Sequence, residues 1–197
     1  MKNHFLIILI ICLVLFTSQI EGFVLNVKSS ITGKTYEMQE YPKINEAANI
    51  MGKLDKNINK FANYLIKKHP NDVRIKRLHK NLQGTKYKET PHKEGESAYT
   101  INKGELIKIC LRHKKDNKPL HNLNTLMFVV IHEMAHVMSV SIGHNEEFMT
   151  NFRFLLREAD GINIDYEPID YSEENMTYCG VHVSHNPYYN HIYNFIK

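Results

Sequence analysis

Residues 126–138 read LMFVVIHEMAHVM, and this stretch decides both the fold class and the chemistry that the sequence predicts. The apolar residues on both sides of HEMAH predict a largely buried α-helix. His132 and His136 are four residues apart, so their imidazoles lie on one helix face, one turn from each other. Burying two histidines and a glutamate is costly unless something pairs them. The stretch therefore predicts a helix that binds a metal ion.

Glu133 directly follows the first histidine of this pattern. A Zn²⁺ ion lowers the pKa of its bound water to about 7, and a neighbouring carboxylate can take a proton from that water as it attacks a carbonyl. The same carboxylate can then pass the proton to the leaving amine. Glu133 is therefore the predicted general base of a zinc-dependent peptidase. Tyr166, Tyr171 and Tyr178 are candidates for a hydroxyl that stabilises the oxyanion.

The third zinc ligand must come from further along the chain, because catalytic zinc usually has three protein ligands and one water. His144 is favoured, since it lies eight residues after His136 and directly after an expected turn. Glu158, on the next predicted helix, is the main alternative. His182 and His185 in the tail are weaker candidates.

Four segments are predicted to be helices, and the first of them has the spacing of apolar residues that is typical of an amphipathic helix. They span residues 44–68, 72–82, 125–142 and 146–159. Asp72 and Asn124 are the expected caps of the second and third helices. Gly143 and Gly161 are expected to end the third and fourth.

The remaining segments predict short strands and loops, which makes the domain α+β. Residues 23–35 have the pattern of a short extended or hairpin segment. Residues 98–112 predict a β-hairpin that turns at Lys103-Gly104, and we expect a small antiparallel sheet. The polar stretches 84–95 and 113–121 predict loops, and the tail is expected to be irregular.

The N-terminus has the features of a targeting segment. A positively charged start is followed by an apolar run, Phe5–Phe16, that is short for a membrane span but fits a secretory signal. Residues 1–22 are therefore predicted to be a signal peptide or a signal anchor, with possible membrane association through residues 5–20. We expect a secreted, lumenal or membrane-anchored protein.

Two cysteines lie outside the predicted targeting segment. Cys110 and Cys179 form either a disulfide or two buried thiols, and both alternatives stay open.

The charge pattern limits the expected partners. Residues 53–118 contain 18 Lys and Arg against 7 Asp and Glu, but the basic residues are scattered with few aromatic residues between them. Solvated helix faces therefore explain them better than a nucleic-acid interface, and nucleic acid is not an expected partner.

Residues His132 to His136 (HEMAH) and Gly143 to Phe148 (GHNEEF) together resemble the HExxH…GHxxxF pattern of the SprT-like and WLM (Wss1-like) zinc metallopeptidases. Within that group the sequence is most similar to members from large DNA viruses. The resemblance extends over about residues 98–187.

The resemblance implies a single zincin-like domain over residues 23–197, with a helical N-terminal part at 40–83 and a catalytic core at 98–187. It implies zinc held by His132, His136 and His144, with Glu133 as the general base. The substrate would be a protein or peptide. The alternative is a zinc-binding membrane or virion structural protein without turnover.

Overall fold

The computed structural model describes residues 23–91, 97–114 and 119–189, which form four helices and seven strands. In chain order they are β1 (Val24–Lys28), β2 (Thr35–Gln39), α1 (Ile44–Lys68), α2 (Val73–Asn81), β3 (Lys86–Glu89), β4 (Tyr99–Ile101), β5 (Leu106–Ile109), α3 (Leu123–Met138), α4 (Glu146–Ala159), β6 (Met176–Tyr178) and β7 (Val181–Val183). The predicted targeting segment, residues 1–22, lies outside the described residues. No helix within the described ranges is both long and apolar enough to cross a membrane.

Five strands form a mixed sheet in the order β1-β2-β3-β5-β4. The pairs β2–β3 and β3–β5 are parallel, and the two outer pairs are antiparallel. The prediction of a small antiparallel sheet is therefore wrong, and so is the loop predicted over residues 84–95. That segment contains β3, whose sequence KYKE has only one apolar residue, Tyr87. Long-range pairing with two neighbours, not apolar content, makes it a strand.

One face of this sheet is buried against helices. Alternate positions of β2, β3 and β5 supply its buried apolar side chains: Tyr36, Met38, Tyr87, Ile107 and Ile109. On the opposite face, Lys88 Nζ and Glu37 Oε2 form a salt bridge of 2.7 Å. The buried face is covered by α1, and the hydroxyl of Tyr36 donates to Asp55 of that helix at 2.7 Å.

The two N-terminal helices agree with the prediction. α1 spans Ile44–Lys68, and α2 spans Val73–Asn81. The Asp72 carboxylate caps α2 by accepting the backbone N–H of Arg74 at 2.8 Å. α1 buries Met51, Leu54, Ile58, Phe61 and Leu65, which recur at helical spacing. Apolar periodicity was therefore sufficient to place both helices.

A buried ion pair joins the centre of the sheet to the chain around it. Arg112, only 1% exposed, donates from Nε to Glu89 Oε1 at 2.7 Å and from Nη1 to the carbonyl of Pro42 at 2.5 Å. The other oxygen of Glu89 accepts the backbone N–H of Gln39 at 2.9 Å. Burial raises the pKa of Glu89, and the charge of Arg112 opposes this shift. These contacts hold β3 beside the end of β2.

α3 begins and ends earlier than predicted. The side chain of Asn122, not of Asn124, accepts the backbone N–H of Thr125 at 2.8 Å and caps the helix. Asn124 instead accepts the backbone N–H of Glu167 at 2.8 Å. The helix ends at Met138 and not at residue 142, because Ser139 is extended. α4 has the predicted bounds, Glu146–Ala159.

The tail contains a hairpin where irregular structure was predicted. β6 and β7 pair antiparallel, with Tyr178 opposite Val181 and Met176 opposite Val183. A disulfide between Cys110 and Cys179 links the turn of this hairpin to the end of β5, with 6.4 Å between the Cα atoms. The alternative of two free thiols is therefore excluded in this structure.

Candidate metal centre

Three imidazoles converge between α3 and the loop that follows it. His132 and His136 lie on one face of α3, and the loop before α4 carries His144 back to them. The Nε2 atom of His144 is 3.0 Å from that of His132 and 3.1 Å from that of His136. Tetrahedral zinc with Zn–N bonds of about 2.0–2.1 Å separates its nitrogen ligands by about 3.3 Å. The donor set therefore fits a zinc ion.

The loop that carries His144 is held from α4. The Glu147 carboxylate, in the first turn of α4, accepts the backbone N–H of Val140 at 2.8 Å and that of Ser141 at 2.9 Å. It also accepts the hydroxyl of Ser141 at 2.6 Å. This hydroxyl and the two N–H groups lower the pKa of Glu147 to about 2. The carboxylate therefore stays ionised and fixes the loop.

A second group holds the same loop from the sheet side. The ammonium of Lys103, in the β4–β5 turn, donates to the carbonyl of Ser141 at 2.5 Å and to that of His136 at 3.3 Å. The sequence predicted Lys103 only as a turn residue. Its role here depends on long-range contacts that sequence spacing does not reveal.

Replacing Glu147 by Ala should weaken zinc binding about 10–100-fold, the effect typical of losing an outer contact that orients a ligand. The reason is that the loop loses three hydrogen bonds that place His144. The measurement is a competition titration against a zinc-binding dye. Glu146→Ala, at the exposed neighbouring position, is the matched control and should leave the affinity unchanged. Equal affinities in the two variants would contradict this role.

Desolvation favours the neutral form of the three imidazoles, although the side chain of His144 is exposed. It lowers the pKa of His132 to about 3, with a further contribution from the charges of His136 and His144. It also lowers the pKa of His136 to about 4, assisted by His144 and Lys103. Burial lowers the pKa of His144 as well. A neutral imidazole is the form that binds a metal ion, so the site is prepared for one.

Glu133 lies next to the triad and is only 2% exposed. The hydroxyl of Thr100, on β4, donates to Glu133 Oε2 at 2.8 Å. Burial raises the pKa of Glu133 to about 7, and the Thr100 hydrogen bond opposes that shift. A carboxylate in this range can accept and return a proton near neutral pH. Thr100 was not predicted from the sequence, because no local pattern links strand β4 to the HEMAH helix.

A cleft of about 720 Å³ opens onto these groups. The residues that line it come from β4 and the β4–β5 turn, from α3, from the loop before α4 and from the β6–β7 hairpin. Its lining residues are Ser97, Ala98, Tyr99, Thr100, Asn102, Lys103, Phe128, Val129, His132, Glu133, His136, Ile142, Gly143, His144, Tyr178, Val181 and Val183.

Only one of the three candidate tyrosines lines this cleft, and it is Tyr178. Burial raises the pKa of its hydroxyl, and the nearby charge of Glu133 adds to the shift. Tyr171 instead packs on Phe128, with ring centroids 5.0 Å apart. Tyr166 is buried and is not among the residues that line the cleft.

The alternative ligands are not brought to the triad. Glu158 forms a salt bridge of 2.9 Å with Lys68 Nζ, and it lies 3.1 Å from His69 Nε2. His182 is exposed on β7. In the part of the chain that the structure describes, the one group of three side chains placed to share a metal ion is His132, His136 and His144.

Comparisons with known proteins identify the family and the relatives of this chain. The WLM domain model matches residues 32–190. The uncharacterized protein R325 of Acanthamoeba polyphaga mimivirus is 35% identical over 193 residues, which cover 91% of this chain and 92% of that protein. The uncharacterized protein 042R of Invertebrate iridescent virus 3 is 44% identical over 66 residues, which cover 34% of this chain and 40% of that protein.

Among solved structures, Wss1 from Saccharomyces cerevisiae is similar to this chain with a TM-score of 0.47 and 18% identity, covering 62% of this chain and 84% of that one. The family match and the mimivirus relative each span most of the chain, and both of these viral relatives come from large DNA viruses. The resemblance expected from HEMAH and GHNEEF is thus confirmed. The chain belongs to the WLM domain family, a metalloprotease family.

Proposed function

We propose that this protein is a zinc-dependent metallopeptidase with a single zincin-like domain. His132, His136 and His144 would hold the zinc ion, and Glu133 would be the general base. The observation that carries this proposal is the convergence of three imidazoles beside the buried carboxylate of Glu133. The Nε2 atom of His144 is 3.0 Å from that of His132 and 3.1 Å from that of His136.

When bound, the zinc ion supplies Lewis acidity that polarises a carbonyl and activates water. The hydroxyl of Thr100 donates to Oε2 of Glu133, so Oε1 is the oxygen that would transfer the proton. Oε1 takes a proton from water and returns it to the leaving amine. Tyr178 lines the same cleft, but its hydroxyl is buried from solvent, so we assign it no role in catalysis.

The edge of the sheet supports a peptide as the substrate. Among the described residues, β4 pairs with β5 on one side only, and its other edge borders the cleft. An extended peptide can pair with such an edge through its backbone. Tyr99 and Thr100 would then place the scissile bond beside Glu133. This geometry favours peptide hydrolysis over reactions on small molecules.

The first test is the zinc content of the purified full chain, measured by elemental analysis. We expect about one zinc per chain for the wild type and a loss of most of it in His136→Ala, because two imidazoles bind zinc much more weakly than three. His182→Ala is the matched control, since this histidine is exposed on β7. Absence of zinc from the wild type after loading would refute the metal site.

The second test separates the peptidase from the alternative of a zinc-binding structural protein without turnover. The zinc-loaded wild type is incubated with an unselective peptide mixture, and products are identified by mass spectrometry. Cleavage that a chelator abolishes and zinc restores would support the peptidase. Zinc bound at about one per chain with no peptide cleaved would favour the structural protein.

A further inference from the structure

We propose that Asn175 is a site of N-linked glycosylation, modified in an oxidising compartment of the secretory pathway. Asn175, Met176 and Thr177 form the one Asn-x-Ser/Thr sequon in the sequence, and its middle residue is not proline. The inference goes beyond the proposed peptidase function and does not depend on it.

The sequon lies on the surface, at the start of the β6–β7 hairpin. Asn175 directly precedes β6, and it ends a run of four exposed residues that begins at Ser172. Thr177, the second residue of β6, is also exposed, whereas Tyr178 beside it is buried. A glycan is bulky and is accommodated only at the surface. The exposed run therefore provides the space that the modification needs.

The sequon does not open into the cleft of the candidate metal centre. Thr177 is opposite His182 in the hairpin, and Tyr178 is opposite Val181. Successive side chains of a strand point to opposite faces. Tyr178 and Val181 line the cleft, whereas Asn175, Thr177 and His182 are not among its lining residues. A glycan on Asn175 therefore leaves every residue that lines the cleft unmodified.

Buried asparagines of this protein have contacts that explain them within the fold, and Asn175 is not one of these. Asn57 donates from Nδ2 to the carbonyl of Ile164 at 3.0 Å, and Asn186 donates to that of Ile169 at 2.9 Å. Both are buried, whereas Asn175 is exposed in a loop. Replacing the amide of Asn175 should therefore leave the fold intact.

The disulfide is an independent indication of the compartment. Cys179, four residues after Asn175, is bonded to Cys110. Disulfides form and persist in the secretory pathway and are rare in the cytosol. Residues 1–22 are predicted to direct the chain into that pathway, and N-glycans are attached there. The same hairpin thus carries a bond and a sequon that belong to one compartment.

The modification joins a sugar to the side-chain nitrogen. C1 of the first sugar of a polyprenyl-diphosphate-linked oligosaccharide forms a bond to Nδ2 of Asn175, and the bond from C1 to the diphosphate oxygen breaks. The diphosphate leaves with the electron pair, and Nδ2 loses one proton. No group is oxidised or reduced, and the amide stays neutral.

The test expresses the full chain in eukaryotic cells and compares its mobility on a denaturing gel before and after peptide N-glycosidase. We expect one discrete shift for the wild type and none for Asn175→Gln or Thr177→Ala, because either change destroys the sequon. Thr177→Ser keeps the hydroxyl and should keep the shift. Asn45→Gln, at an exposed asparagine outside any sequon, is the matched control and should also keep it. A shift that persists in Asn175→Gln would overturn the site.

A reporter variant separates the site from delivery to the compartment. Lys28→Asn completes a second sequon with Ser30, and both positions are exposed. We expect this variant to carry a second glycan in addition to the one on Asn175. A glycan on the reporter position alone would overturn Asn175 as a site. Absence of glycan from both the wild type and the reporter would overturn the site and the proposed delivery together.

Discussion

Replacing Glu133 by Gln is expected to lower kcat for peptide hydrolysis by about 10²–10⁴-fold, the range typical of a lost general base. The amide keeps nearly the same volume and can still accept the hydrogen bond from Thr100. It has no basic oxygen to take a proton from water. Zinc content should stay at about one per chain, because the three proposed zinc ligands are His132, His136 and His144, and Glu133 is not one of them.

The measurement compares kcat of the variant and the wild type on one fluorogenic peptide, with zinc content determined on the same samples. Glu146→Gln, an exposed position at the start of α4, provides the control for the substitution itself. Retention of more than a tenth of wild-type kcat by Glu133→Gln would assign the proton transfer to another group.

Reduction of the Cys110–Cys179 disulfide is expected to lower the free energy of unfolding by about 4 kcal/mol. The two cysteines are 69 residues apart, and the chain-entropy model gives about this value for a loop of that length. Urea unfolding with and without a phosphine reductant measures the difference. Hydrolysis should also fall, because the hairpin that carries Tyr178 loses its covalent link to β5.

The double variant Cys110→Ala/Cys179→Ala is the control for this experiment. Its stability should equal that of the reduced wild type and should not respond to the reductant. An unchanged unfolding midpoint of the wild type after complete reduction would contradict the stabilising role. Disulfides persist in oxidising compartments, and we propose that the chain is delivered to such a compartment.

Local patterns were sufficient to place α1, α2 and α4 and to put two histidines on one face of α3. The helix over residues 44–68 follows from apolar spacing alone, and the bounds of α4 follow from the same signal. The facing positions of His132 and His136 follow from helix geometry. The structure also places His144 beside them, as the expected turn suggested.

Features that depend on long-range contacts were not predictable. β3 has a charged sequence and becomes a strand because two distant strands pair with it. Asn122 and Asn124 have the same side chain, so the local sequence does not show which of them caps α3. In the structure Asn122 caps the helix, whereas Asn124 accepts the backbone N–H of the distant Glu167. The Thr100 contact to Glu133 spans 33 residues and has no local signal.

The three imidazoles of the metal centre all belong to residues 132–144, whereas Thr100 and Tyr178 come from distant segments. Closing so short a loop costs little entropy, so a partly folded chain can already capture zinc. Metal binding to the unfolded ensemble reduces the stability that zinc adds to the native state. On the proposed function, zinc binding would therefore not depend on the Cys110–Cys179 disulfide, whereas the positions of Thr100 and Tyr178 in the cleft require the complete fold.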